Sequence, residues 1–199
     1  MFDRTKYLQE RYRNDSKFRE YFKKLVLKSE KKRRGIYRKK LQEHLGNICS
    51  KCGFSNTEIL EFHHINNNGK KDRLSVTRLK YYSEHLEEAK ISLIVLCPNC
   101  HSIETNPFLD MDGIVQKTRQ RLFGILGRFI CERCEFSDFR ALQFDHIKGH
   151  GFEEKKKFKG GTKMLKYYNA RPDLAKIHFT VLCSNCNRIK QRENNEFRS

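Results

Sequence analysis

The residues able to do chemistry in this chain are few in type and regular in spacing. Cys131-Glu132-Arg133-Cys134 and Cys183-Ser184-Asn185-Cys186 are two Cys-x-x-Cys pairs. Pairs at that spacing are the natural grip for one tetrahedral zinc, and four thiolates leave the ion no open position, so such a zinc is structural. Asp145-His146 lies between the pairs and Asn187 directly follows the last cysteine. The zinc does not need them. They are oxygen and nitrogen groups of the kind that hold a second, harder divalent ion and activate water.

The same pattern occurs earlier. Cys49-x-x-Cys52 is followed by Leu60-Glu61-Phe62-His63-His64-Ile65, which matches Leu142-Gln143-Phe144-Asp145-His146-Ile147 at an offset of 82. Leu79-Lys80-Tyr81-Tyr82 and Val95-Leu96-Cys97-Pro98-Asn99-Cys100 match Leu165 to Tyr168 and Val181 to Cys186 at an offset of 86, so the second copy carries four extra residues. The chain is a tandem duplication. Cys49, Cys52, Cys97 and Cys100 are expected to share one ion and Cys131, Cys134, Cys183 and Cys186 another, with sharing across copies as the alternative.

Phosphodiester hydrolysis is a reaction these residues allow. It needs a base that titrates near the working pH, for which histidine is the usual choice. It also needs charge neutralised on the transition state and on the leaving oxygen, which one divalent cation does. A strand ending in Asp145-His146 sends neighbouring side chains to opposite faces, so one can bind metal while the other stands off as base. Asn187 begins a helix pinned by zinc, which holds its amide at a fixed place. Identical placement in both copies separates His64 and His146 from His44, His85 and His150, which are expected at the surface.

Length and charge bound the partners. Repeats of about 70–85 residues have limited core and often need a staple. The eight cysteines all fall into Cys-x-x-Cys pairs and no apolar leader follows Met1, which favours zinc over disulfides and an intracellular, non-secreted protein. No apolar run is long enough to span a bilayer. The net charge of +18 points to a polyanion, nucleic acid above a membrane surface. Residues 1–45 alone hold 16 Lys or Arg against six Asp or Glu.

The elements that position these residues follow in order. Phe18, Tyr21, Phe22, Leu25 and Val26 recur at helical spacing, and Tyr37, Leu41 and Leu45 make a shorter stripe ending at Gly46. Lys31-Lys32-Arg33-Arg34 between them reads as a hinge or a phosphate contact. Short strands are expected at 59–62 and 92–96, a helix across 74–89, and another at 114–126. The Lys- and Gly-rich stretch 148–161 reads as a loop able to lie on a phosphate backbone, and Arg188, Lys190 and Arg192 make the last helix basic. The resulting organisation is a basic helical segment (1–33), a first unit (34–107), a linker (108–113) and a second unit (114–199).

Cys-x-x-Cys, then His-His-Ile or Asp-His-Ile after a short strand, then Leu-Cys-x-x-Cys followed by His or Asn, resembles the zinc-ribbon type of HNH, or ββα-metal, endonuclease. The likeness spans nearly all of both repeats. It implies an α+β protein of two tandem zinc-stapled ββα-metal units, each with a two-stranded ribbon and a helix around one catalytic divalent ion. By it, Asp145 and Asn187 are ligands of Mg²⁺ or another divalent metal and His146 is the general base. In the first copy His63 and His101 are the ligands and His64 the base. The family's middle asparagine, five residues before the third cysteine, is replaced here by Ser92 and His178.

The resemblance implies a DNA endonuclease with two structural zinc ions, leaving 5′-phosphate and 3′-hydroxyl ends. Two units in one chain would let a monomer act on duplex DNA as a pseudo-dimer, a homodimer being the other arrangement. The alternative is a non-catalytic zinc module that binds DNA or RNA through the same basic surface.

Overall fold

The computed structural model describes residues 3–69, 73–106, 113–149 and 151–194. The expected linker 108–113, apart from Gly113, lies outside the described residues, as does His150. The chain is mixed α/β, mostly helical, with two small two-stranded sheets. It divides into two compact units: Met1–Gly46 with His64–Ile94, and Asn47–His63 with Val95–Arg198. Residues of the first copy therefore contribute to both.

In the first of these units α1 (Arg4–Asn14) is capped by the Asp3 carboxylate and α2 (Ser16–Leu45) by Asp15, whose side chain accepts from the Phe18 N–H. The two stripes expected from sequence belong to one unbroken helix. Nothing between Leu27 and Arg38 removes a backbone donor, so Lys31–Arg34 are an exposed helical turn instead of a hinge. Tyr21, Phe22, Leu25 and Val26 remain exposed, and the buried residue of α2 is Leu41. The helix expected at 74–89 is two, α3 (Val76–Glu84) and α4 (Leu86–Ser92). The break is at His85, whose ring stacks on Tyr81 at 4.2 Å with Nδ1 2.8 Å from the Tyr81 carbonyl oxygen. The His85 N–H still donates to that carbonyl at 2.9 Å, and the helix ends because the His85 backbone leaves helical geometry at φ −121° and ψ 70°.

Strand β1 (Glu61–His64) starts two residues later than alternation indicates and includes both histidines; it forms a sheet with β2 (Leu93–Leu96). The three residues Phe62, His63 and His64 are all buried, so strict alternation is not its signature. Helix α5 (Pro98–Thr105) follows β2.

The second copy opens with α6 (Ile114–Leu126), ended by Gly127 in the left-handed conformation at φ 64°. Strand β3 (Leu142–His146) pairs antiparallel with β4 (Phe179–Cys183), placing Asp145 opposite Thr180 and His146 opposite Phe179. Within the stretch read as a loop from sequence stands α7 (Gly151–Lys157), followed by α8 (Gly161–Asn169) and α9 (Pro172–His178). Glu153 and Glu154 at the start of α7 and Lys155–Lys157 at its end complement the helix dipole. Helix α10 (Ser184–Glu193) closes the copy. Its core is Leu122, Phe123, Leu142, Tyr168, Phe179 and Val181, each at 1 % exposure or less. Among the described residues no helix is long and apolar enough to cross a membrane.

Candidate functional site

The two cysteine sets expected from spacing are the two sets that converge. In each, the four sulfurs lie within 4.8 Å of one another. Cys52 and Cys97 sulfurs are 3.7 Å apart, Cys134 and Cys183 sulfurs 3.6 Å. A tetrahedron with metal–sulfur bonds of about 2.3 Å has edges of about 3.8 Å, whereas a disulfide requires about 2.05 Å. The thiols are free and fit a zinc ion in both copies.

Local structure builds each cluster. The Cys49 and Cys131 N–H groups donate to the Phe54 and Phe136 carbonyls at 2.8 Å, closing the knuckles, with Gly53 and Glu135 at positive φ one residue past each. Cys97 and Cys183 are the N-caps of α5 and α10, their sulfurs accepting from the Cys100 and Cys186 N–H groups. Burial pushes the Cys49 thiol up, but backbone hydrogen bonds from Cys97, Lys51 and Cys52 outweigh it and bring it down to about 7. Cys131 is brought to about 7 in the same way. Burial raises Cys100 and Cys186, so each set pairs an easily ionised thiol with resistant ones.

The two knuckles meet. The Asn99 N–H donates to Asn185 Oδ1 at 2.9 Å, and the Asn185 N–H donates to Asn99 Oδ1 at 2.9 Å. Both asparagines are buried. They occupy equivalent places in the two copies, so the paired bonds are related by exchanging one copy for the other. The Ser102 and Ser184 hydroxyls are 3.0 Å apart beside them.

In the second copy the resemblance-derived residues are neighbours. Asn187 Nδ2 donates to Asp145 Oδ1 at 3.0 Å across 42 residues of chain. Lys190, one turn further along α10, reaches the other Asp145 oxygen and also donates to the His146 carbonyl at 2.9 Å. Gln191 donates to Asn187 Oδ1 at 2.7 Å. The carboxylate and the amide oxygen are hard donors, as a divalent metal requires, but an ammonium already neutralises the carboxylate.

His146 packs edge-on against Phe179 at 4.6 Å and opens into a cleft of about 430 Å³ lined also by Lys148, Glu153, Glu154, Lys157 and His178. Its Nε2 bonds the Glu154 carboxylate, whose other oxygen accepts from the Tyr168 hydroxyl. Burial pushes the Glu154 carboxyl up, but the Tyr168 and His146 bonds outweigh it and hold it below the usual range. Burial and Glu154 together raise Tyr168, which stays a donor. An ionised Glu154 accepts a hydrogen bond from the Nε2–H, which in the neutral ring leaves the lone pair on Nδ1. Gly151 faces that nitrogen: a Cβ there would lie 2.5 Å from Nδ1. His178, five residues before Cys183, lies 3.3 Å from the Tyr168 hydroxyl and so joins the hydrogen-bonded chain behind His146.

In the first copy the rings of His63 and His101 are 5.1 Å apart at 69°. His101 Nδ1 is 2.5 Å from one Glu61 oxygen, and Arg188 of α10 donates to the other at 2.7 Å. His64 belongs to the other compact unit, where it is buried against Tyr82 and where Gly69 approaches its Nδ1 as Gly151 approaches that of His146. Among the described residues, groups of three or more His, Cys, Asp or Glu close enough to share an ion are the two cysteine sets.

The basic residues singled out from sequence divide. Lys31, Lys32 and Arg33 are exposed on α2, and Arg34 donates to the Leu74 carbonyl at 2.8 Å. Arg188, Lys190 and Arg192 hold Glu61, Asp145 and Glu58. Sequence reading passed over Glu154, Tyr168, Gly151 and Glu61. Glu154 was hidden in a lysine-rich stretch, but Gly69 and Gly151 stand at one offset, five residues past each histidine, and that signal was readable. Comparison of the chain with protein-family models, with curated proteins and with solved structures gives no match.

Proposed function

We propose that the chain is a divalent-metal-dependent nuclease of the HNH type that cuts DNA, with its better-formed site in the second copy. The observation that carries this reading is the meeting of Asp145 and Asn187 at 3.0 Å beside a histidine whose Nε2 is held by Glu154 and whose ring opens on a cleft. A nucleophile-activating base whose orientation is set by a third group is the arrangement hydrolytic sites use.

The residues divide the work as follows. Glu154, fixed by Tyr168, keeps the His146 proton on Nε2 and leaves Nδ1 to accept a proton from water. The imidazolium then formed is stabilised by the same carboxylate. A divalent ion at Asp145 and Asn187 would supply charge neutralisation on the phosphate and the leaving 3′ oxygen. For that, Lys190 must leave the Asp145 Oδ2 and the Asn187 amide must turn its oxygen from Gln191 toward the ion; the Lys190 ammonium is then placed to meet a phosphate. Lys148 and Lys157 on the cleft rim add positive charge where a polyanion would approach. The exposed cations of α2 supply sequence-independent phosphate contacts.

One experiment tests this reading. Supercoiled plasmid is incubated with Mg²⁺ or Mn²⁺ and wild type, His146→Ala or wild type plus chelator. Cleavage by wild type, markedly weaker cleavage by His146→Ala and none with chelator are expected. A second reading, a zinc-braced DNA or RNA binder without turnover, is favoured by the Lys190–Asp145 pair, which satisfies the carboxylate without a metal. Plasmid retained on wild type and His146→Ala alike, and cut by neither, would establish it.

A further inference from the structure

The seam between α5 and α10 does more than join two repeats. Asn99 and Asn185 each follow a zinc-ligand cysteine by two residues and sit in the first turn of their helices. Each amide oxygen accepts the other's backbone N–H at 2.9 Å, so each copy caps the other's helix. Each asparagine thus caps the turn that carries two metal-ligating cysteines of the opposite copy, by accepting the N–H that lies between them. With exposures of 5 % and 8 %, neither amide has water as a ready substitute. Buried polar groups deprived of partners are costly, so the two sets of bonds stand or fall together.

From this geometry we infer that the two cysteine clusters bind their metal ions as a coupled pair, with Asn99 and Asn185 as the link. An ion in the first cluster holds Cys97 and Cys100, and thereby the turn bearing Asn99. A fixed Asn99 presents its oxygen to the Asn185 N–H, between Cys183 and Cys186. The second cluster is then preformed, and a preformed ligand set binds more tightly because less order remains to be gained. Exchange of the copies gives the converse, as reciprocity of coupling requires. Ligand-supporting groups outside the coordination shell commonly change metal affinity 10–100-fold. Here those groups belong to the neighbouring site. The inference does not depend on the nuclease reading, since it concerns the structural ions alone.

The test uses the full chain and Co²⁺, whose thiolate complexes are coloured, with Zn²⁺ competition to set the affinity scale. Wild type should take up two ions with a Hill coefficient above 1, the ceiling for two sites being about 2. Asn99→Ala combined with Asn185→Ala keeps all eight cysteines. It should still take up two ions, but with a Hill coefficient of 1 and affinity lower by about 10–100-fold. Cys49→Ser with Cys52→Ser disables the first cluster, and the remaining site should weaken by about 5–150-fold. In the double-asparagine background the same cysteine change should weaken it much less. Circular dichroism of each variant separates lost coupling from lost folding. Independent uptake by wild type, or equal loss on disabling the first cluster with and without the asparagines, overturns the inference.

Discussion

Gly151 offers a sharp perturbation of the His146 site. An alanine Cβ there would lie 2.5 Å from His146 Nδ1, 3.0 Å from Cε1 and 3.3 Å from Cγ. Ordinary contact begins near 3.4 Å, so the ring would have to retreat by about 1 Å. It has no easy retreat, with Glu154 bonded at Nε2 and Phe179 packed at 4.6 Å. A displacement of 1 Å costs about 100-fold in a positioned reaction, and a methyl covering the proton-accepting nitrogen removes a general-base contribution of about 10²–10⁴. We therefore expect Gly151→Ala to lower cleavage by at least about 100-fold. Stability should fall too, by about 1–3 kcal/mol, as overpacking a closely packed site does. At the equivalent Gly69 the added Cβ would stand 3.1 Å from His64 Nδ1, so a shift of a few tenths of an ångström suffices and the loss should be much smaller. Plasmid nicking by Gly151→Ala in a His64→Ala background, with thermal unfolding of the same samples, measures both quantities for the second copy alone. If that protein cuts at the rate of its parent while His146→Ala does not cut, Nδ1 is not the working nitrogen and the assignment of Glu154 to Nε2 fails with it.

Two other outcomes follow from the same site. The folded-state pKa of Glu154 is depressed, so its contribution to stability is present above the ordinary carboxylate value and is lost as pH falls through the lowered one. Urea unfolding of wild type and Glu154→Gln should differ by a constant amount near neutrality, and the difference should shrink in acid; a gap that widens on acidification contradicts the sign. Lys190→Met leaves the largely buried Asp145 carboxylate without its ammonium and should cost about 1–3 kcal/mol. Added Mn²⁺ should restore the melting temperature of that variant more than it raises that of wild type, and an equal response in both shows that Asp145 and Asn187 do not hold the ion.

Sequence alone was enough to recover the duplication, the two cysteine sets and the helix at 114–126. These depend on spacing: Cys-x-x-Cys closes a local turn, and an offset of 82 or 86 is visible without coordinates. Helix α6 was legible because its apolar residues keep helical period up to a glycine stop. Local competition hid other features. The non-helical backbone at His85 splits one expected helix in two, and an uninterrupted run of donors fuses two expected helices into α2. Helix α7 was obscured by its lysines and glycines, which read as a loop when the dipole-matched order of its charges is overlooked.

What tertiary structure alone decided is which groups oppose each functional side chain. The sequence placed Asp145 beside His146, but Lys190 on that carboxylate, Glu154 on that ring and Arg188 on Glu61 required the folded chain. The asparagine in each second knuckle was visible as a repeated residue, yet its reciprocal bond to the other copy was not. Metal-ligand spacing is a property of neighbouring residues and survives in a linear string. Hydrogen-bond partners 42, 86 and 127 residues apart are brought together only by the folded chain, and no local pattern encodes which of many similar polar groups will be the one that arrives.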